Sequence, residues 1–179
     1  MEKKYKLTEE YINVNNRTFY RIEALKNFAN VEKGDKGGYI ENENNLSQYN
    51  DCWIYDNAKV YGDAEIYGNS KVYGDAEVYD NAEVYENAKV CGNAKVYGYA
   101  KIHGNAEVCA NTDYIVFKNW WSSGRYFTWT RSNNMWKVGC FYGTGKELIE
   151  KAYKDSELSG IEYKRVVDYV ESILKTNKQ

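Results

Sequence analysis

The chain has 179 residues, 43% of them hydrophobic and 16% aromatic, and carries a net charge of −2 at pH 7. So much apolar side chain excludes wholesale disorder, and the slight acidity argues against duplex DNA, whose affinity rests on excess cation. No apolar run approaches the roughly 20 residues of a membrane span. Met1-Glu-Lys-Lys-Tyr-Lys also lacks the apolar segment of a secretion signal, so a cytoplasmic protein is expected.

Residues 1–39 do not repeat. Tyr11 to Val14 and Thr18 to Ala24 alternate loosely around Asn15-Asn16, which predicts a hairpin. Gly34-Asp-Lys-Gly-Gly38 is rich in turn formers and leads into Tyr39-Ile-Glu41. Ile40 and Leu46 are six apart, and Gln48 to Trp53 reads as a degenerate repeat with Cys52 in its small position.

From Ile54 to Asp113 one six-residue unit recurs ten times without insertion or deletion. Its first position is always Val or Ile and its fifth always Ala, Ser or Thr; the sixth is charged in all ten units. Six third positions are Gly and nine fourth positions are Asn or Asp, residue types that tolerate positive φ at a corner. Side chains alternate between faces along an extended segment, so one β-branched residue per unit points inward. A period of two describes an ordinary strand and one of 3.6 a helix. A period of six with a built-in corner predicts one side of a polygonal coil whose turns stack.

This pattern resembles the hexapeptide-repeat, left-handed parallel β-helix, which implies three sides, 18 residues per turn and that hand. Stacking at that interval predicts outer ladders of Tyr55, Tyr73, Cys91, Cys109; of Tyr61, Tyr79, Tyr97; and of Tyr67, Tyr85, His103. The first 113 residues resemble YdcK-like hexapeptide-repeat proteins found in bacteria and in phage or prophage genomes. Arg21-Ile-Glu-Ala-Leu25, Gly34-Asp-Lys-Gly-Gly-Tyr-Ile-Glu41, Asn45-Leu-Ser47 and Asp51-Cys-Trp53 carry that resemblance, ahead of the repeats. It implies a fold and no particular activity.

After Asp113 the pattern changes. Tyr114 to Phe117, Tyr126 to Thr130 and Trp136 to Tyr142 predict three antiparallel strands, separated by Ser122-Ser-Gly124 and Ser132-Asn-Asn134. Thr144-Gly-Lys-Glu147 is a capping box opening a helix to about Asp155, and Ser159-Gly-Ile-Glu162 opens a second to about Lys175. Tyr163, Val166, Val167, Val170, Ile173 and Leu174 form its apolar stripe. The expected organisation is an N-terminal hairpin cap over 1–39, the β-helix over 40–113 and an α+β cap over 114–179.

Four candidate sites follow. Residues 114–142 contain Lys118, Arg125, Arg131 and Lys137, no acidic residue, and Trp120, Trp121, Trp129 and Trp136. Aromatic rings beside cations make a platform for a nucleotide, single-stranded nucleic acid or an acidic protein surface. The binding residues expected there are Trp120, Trp121, Arg125, Trp129, Arg131 and Lys137. The ladders of Tyr61, Tyr79, Tyr97 and of Tyr67, Tyr85 make an outer aromatic surface suited to partners or sister subunits. His103, the only histidine, is the base to expect if the chain is an acyltransferase like others of the resembled fold, although the unbroken repeat leaves no excursion to build a pocket. Three histidine ligands for a catalytic zinc are missing, and the four cysteines show no metal-type spacing, so no cofactor is expected and the thiols are expected reduced.

No constellation of nucleophile, base and oxyanion donors stands out. The expected function is non-enzymatic: a phage-borne protein holding its basic aromatic cap against a host defence protein, as a homo-oligomer. A sponge binding a nucleotide signal between subunits is the alternative.

Overall fold

The computed structural model describes residues 2–176. The hairpin forms as expected, from β1 (Tyr5–Val14) and β2 (Arg17–Ala24), with Asn15 and Asn16 both at positive φ. That is the geometry a two-residue turn needs to match the strands' twist. β3 (Lys36–Ile40) pairs antiparallel with β2 on one edge and parallel with the coil on the other. The hairpin therefore extends one side of the coil and is not a separate cap.

Ten two-residue rungs follow, β4 to β13: Trp53–Ile54, Lys59–Val60, Glu65–Ile66, Lys71–Val72, Glu77–Val78, Glu83–Val84, Lys89–Val90, Lys95–Val96, Lys101–Ile102 and Glu107–Val108. They make three parallel sheets, ordered β3-β5-β8-β11, β4-β7-β10-β13 and β6-β9-β12, every neighbour 18 residues on. The protein is thus mainly β, a three-sided parallel β-solenoid. Leu46 bridges to Ile66, so the first, imperfect turn does begin near residue 40.

The first-position Val and Ile, and the small fifth residues from Ala58 to Ala106, are buried essentially completely. The backbone ladder is regular: the amides of positions two, four and six donate to carbonyls one turn on, as from Tyr55 to Val72 at 2.8 Å and Asn57 to Gly74 at 3.1 Å. Positive φ falls on the third position alone, at six glycines and at Asp56, Asp80 and Glu86. The fourth position, expected to share it, does not.

β14 (Tyr114–Lys118), β15 (Tyr126–Thr130), β16 (Met135–Val138) and β17 (Phe141–Gly143) form a second, four-stranded sheet in chain order. One strand was expected across 136–142; a turn with Gly139 at positive φ folds it into the antiparallel pair β16–β17. α1 (Gly145–Asp155) opens on the expected capping box, with Thr144 and Glu147 each accepting from the other's amide. α2 (Glu157–Thr176) starts two residues before the expected Ser159, because Ser156 Oγ accepts from the Ser159 amide at 3.1 Å. Phe127, Trp129, Trp136, Leu148, Val167 and Val170 are its buried core.

The chain divides into two units, Met1–Ile115 with Thr130–Asn133, and Val116–Trp129 with Asn134–Gln179. No helix among the described residues is long and apolar enough to cross a membrane.

Candidate functional site

The C-terminal unit contains a cleft of about 360 Å³, within the range of small-molecule sites. Its scaffold is the Asn119–Arg125 loop, closed by the Asn119 amide donating to the Arg125 carbonyl at 2.7 Å. Asn119 is buried, and its Oδ1 accepts from the Ser122 amide at 2.9 Å while its Nδ2 reaches the Ser122 and Tyr163 hydroxyls. β16 and β17 supply Val138 and Phe141, α1 supplies Leu148, Lys151 and Asp155, and the start of α2 supplies Ser156, Ser159 and Tyr163. The site has an apolar floor and a polar rim.

Its sign follows from the side chains. The end of α1 and the beginning of α2 both reach the cleft, so their dipoles, each worth about 0.3–1 kcal/mol at an exposed site, oppose one another. Arg125 and Lys151 then outweigh Asp155. Burial pushes the Tyr163 phenol above its ordinary value, against Asn119's hydrogen bond and the Arg125 charge. It is therefore a neutral hydroxyl near pH 7, able to donate.

The expected platform is only partly present. Trp129 is 1% exposed, and its indole N–H donates to Asn134 Oδ1 at 2.9 Å; like Trp136, it is core and not a binding surface. The sheet needs large apolar residues on one face, and these two alternate onto it. Trp121 is half-buried, edge-on to Tyr163 with ring centroids 5.1 Å apart. Trp120 is 75% exposed and stands free of the core. Arg125 lines the cleft, Lys137 is half-buried on β16, and Arg131 belongs to the coil unit, where its amide donates to Asp113. Asn119, Lys151 and Ser159 were missed, since nothing in their local sequence marks them: two helices and a loop must meet first.

On the coil the ladders form as expected. Tyr61 stacks on Tyr79 at 4.9 Å and Tyr79 on Tyr97 at 5.2 Å; Tyr67 stacks on Tyr85 at 4.7 Å. The first ladder is not open along its length, because Arg17 and Phe19 of the hairpin lie against Tyr61. His103 is buried, edge-on to Tyr85, with Nε2 3.0 Å from Glu86 Oε1.

Cys91 and Cys109, expected as separate thiols, are joined as a disulfide; their Cα atoms lie 4.4 Å apart on adjacent rungs. No family model and no curated protein matches the chain.

Proposed function

We propose that the protein is a non-enzymatic binding module that takes a small anionic ligand of the nucleotide class in the cleft of its C-terminal unit. The observation that carries this reading is the convergence of Arg125 and Lys151 on an apolar-floored cleft whose buried Asn119 and neutral Tyr163 offer directional hydrogen bonds. The cations would hold the anion, and Val138, Phe141 and Leu148 would take a flat ring. The alternative sponge reading is thereby moved from between subunits into one chain.

Calorimetry with mononucleotides, cyclic nucleotides and ADP-ribose derivatives tests it. Arg125→Ala should weaken the bound member about 10–100-fold, the worth of one charge-assisted hydrogen bond. Absence of heat across the panel would remove the reading.

A protein partner is the second reading, and Trp120 favours it, since exposed tryptophan concentrates at binding hot spots. Its finer form, a phage-borne inhibitor of a bacterial defence component, rests on the resemblance of residues 1–113. A tagged pull-down from the host should then lose its captured protein with Trp120→Ala.

A further inference from the structure

We propose that Cys91, Cys109 and Glu107, with the cysteine pair reduced, form a binding site for one thiophilic divalent cation of the zinc class. The second position of the repeat is Tyr in seven of ten units, and its three exceptions are Cys91, His103 and Cys109. Pairing of Lys89 with Glu107 and of Val90 with Val108 puts the two cysteines on neighbouring rungs of one side. Glu107 lies two residues before Cys109, on the same face.

The spacing is what a tetrahedral ion requires. Glu107 Oε1 is 3.9 Å from Cys91 Sγ and 3.7 Å from Cys109 Sγ. With metal–sulfur bonds of about 2.3 Å and metal–oxygen bonds of about 2.0 Å, tetrahedral S···O edges come to about 3.5 Å. The carboxylate is therefore already at ligand distance. The S···S edge is about 3.8 Å on the same geometry, and rungs about 4.8 Å apart can supply it once the sulfurs are unbonded. Two thiolates with one carboxylate select zinc over magnesium or calcium.

The surroundings orient the third ligand. Glu107 Oε2 faces Lys89 Nζ at 4.0 Å, leaving Oε1 toward the sulfurs, and Tyr73 hydrogen-bonds the same carboxylate. Such outer partners fix ligating carboxylates. Cys91 is buried while Cys109 and Glu107 are exposed, which gives the ion a path in and leaves a fourth position for water.

The oxidised pair cannot ligate. A dithiol reductant breaks the S–S bond, supplying two electrons and two protons to make two thiols as it closes to its own disulfide. Metal binding then releases those two protons.

The test uses the full chain carrying Cys140→Ser, which removes the exposed free thiol. Reduced, metal-stripped protein is titrated with zinc against a chromogenic chelator, and with cobalt(II) for thiolate-to-metal charge-transfer absorption. One equivalent should bind, vanish on oxidation and vanish in Cys109→Ser. Tyr73→Phe should weaken it about tenfold. The oxidised chain is a metal-blind control of identical sequence, so a misfolded variant would not leave the question open. Loss of all zinc to the chelator, or one equivalent surviving both oxidation and Cys109→Ser, would overturn the site. Neither result touches the cleft, which is in the other unit.

Discussion

The third position of the repeat shows how one residue sets a corner. Its amide has no partner in the ladder, and its φ is positive. Glycine accepts the conformation without a Cβ penalty. Asp56 and Asp80 bear it and satisfy the amide one turn on, with Asp56 Oδ2 accepting from Gly74 at 3.0 Å and Asp80 Oδ2 from Gly98 at 3.3 Å. Gly68 has φ +70, and a Cβ there would lie 2.7 Å from the Glu86 amide nitrogen. Gly68→Ala should therefore lose about 1–2 kcal/mol from the left-handed conformation alone, and more from the clash, measured by chemical denaturation. Gly98 also has positive φ, but a Cβ there meets nothing within 4 Å. Gly98→Ala should cost less, and equal losses would show that crowding by the next turn adds nothing.

At the scale of elements, rung register decides which charges meet. Glu65 pairs with Glu83 and Lys71 with Lys89, like charges in both cases. Each finds relief beside its column: Glu83 accepts from the Tyr67 hydroxyl at 2.8 Å and pairs with Lys101, while Lys71 reaches Asn30 Oδ1 at 3.2 Å. Exposed pairs of this kind are worth only about 0–1 kcal/mol, so burial of Val, Ile and Ala carries the coil. The helical pair depends on Gly160. A Cβ there would lie 2.2 Å from Tyr153 Cδ1 and 2.3 Å from its Cγ. Glycine-to-alanine in a helix normally gains about 1 kcal/mol; Gly160→Ala should instead lose about 1–3 kcal/mol by overpacking. Adding Tyr153→Ala should restore the gain. A double-mutant cycle by denaturation measures that coupling, and additive effects would show that the ring simply swings away.

Over the whole molecule, the tyrosines set the alkaline limit. Burial first, and neighbouring glutamates second, raise Tyr5 and Tyr61, while burial pushes Tyr114 up to about 12. Burial, then Glu83, raises Tyr67. A phenol raised in the folded chain adds stability below its unfolded value of about 10. That stability falls as pH climbs from there through the folded values. Lys4 works in the opposite direction. Its ammonium is buried, donates to the Cys52 carbonyl at 2.9 Å, and is lowered by burial, so its contribution rises with pH toward the ordinary lysine value. One lysine is outnumbered by the phenols. Stability should therefore decline above about pH 10, with phenolate absorbance appearing together with loss of β-sheet circular dichroism. Phenolate formation well before unfolding would contradict the burial of these rings.

The solenoid was legible in the sequence because each unit repeats one local decision: a β-branched residue inward, a small one at the bend, a left-handed corner. Eighteen-residue stacking then follows by repetition, and the Tyr ladders and the Cys91–Cys109 neighbourhood with it. The α1 capping box was legible for the same reason, since its partners are three residues apart. The cleft was not. Trp120 and Trp129 have the same side chain nine residues apart, yet one is exposed and the other is core, because only the packed sheet decides which face is covered. Asn119, Lys151 and Ser159 come from a loop and two helices, and meet only after long-range packing. Glu107 carries the same lesson: its sequence position showed a surface charge, and stacking of the turns placed its carboxylate beside two sulfurs.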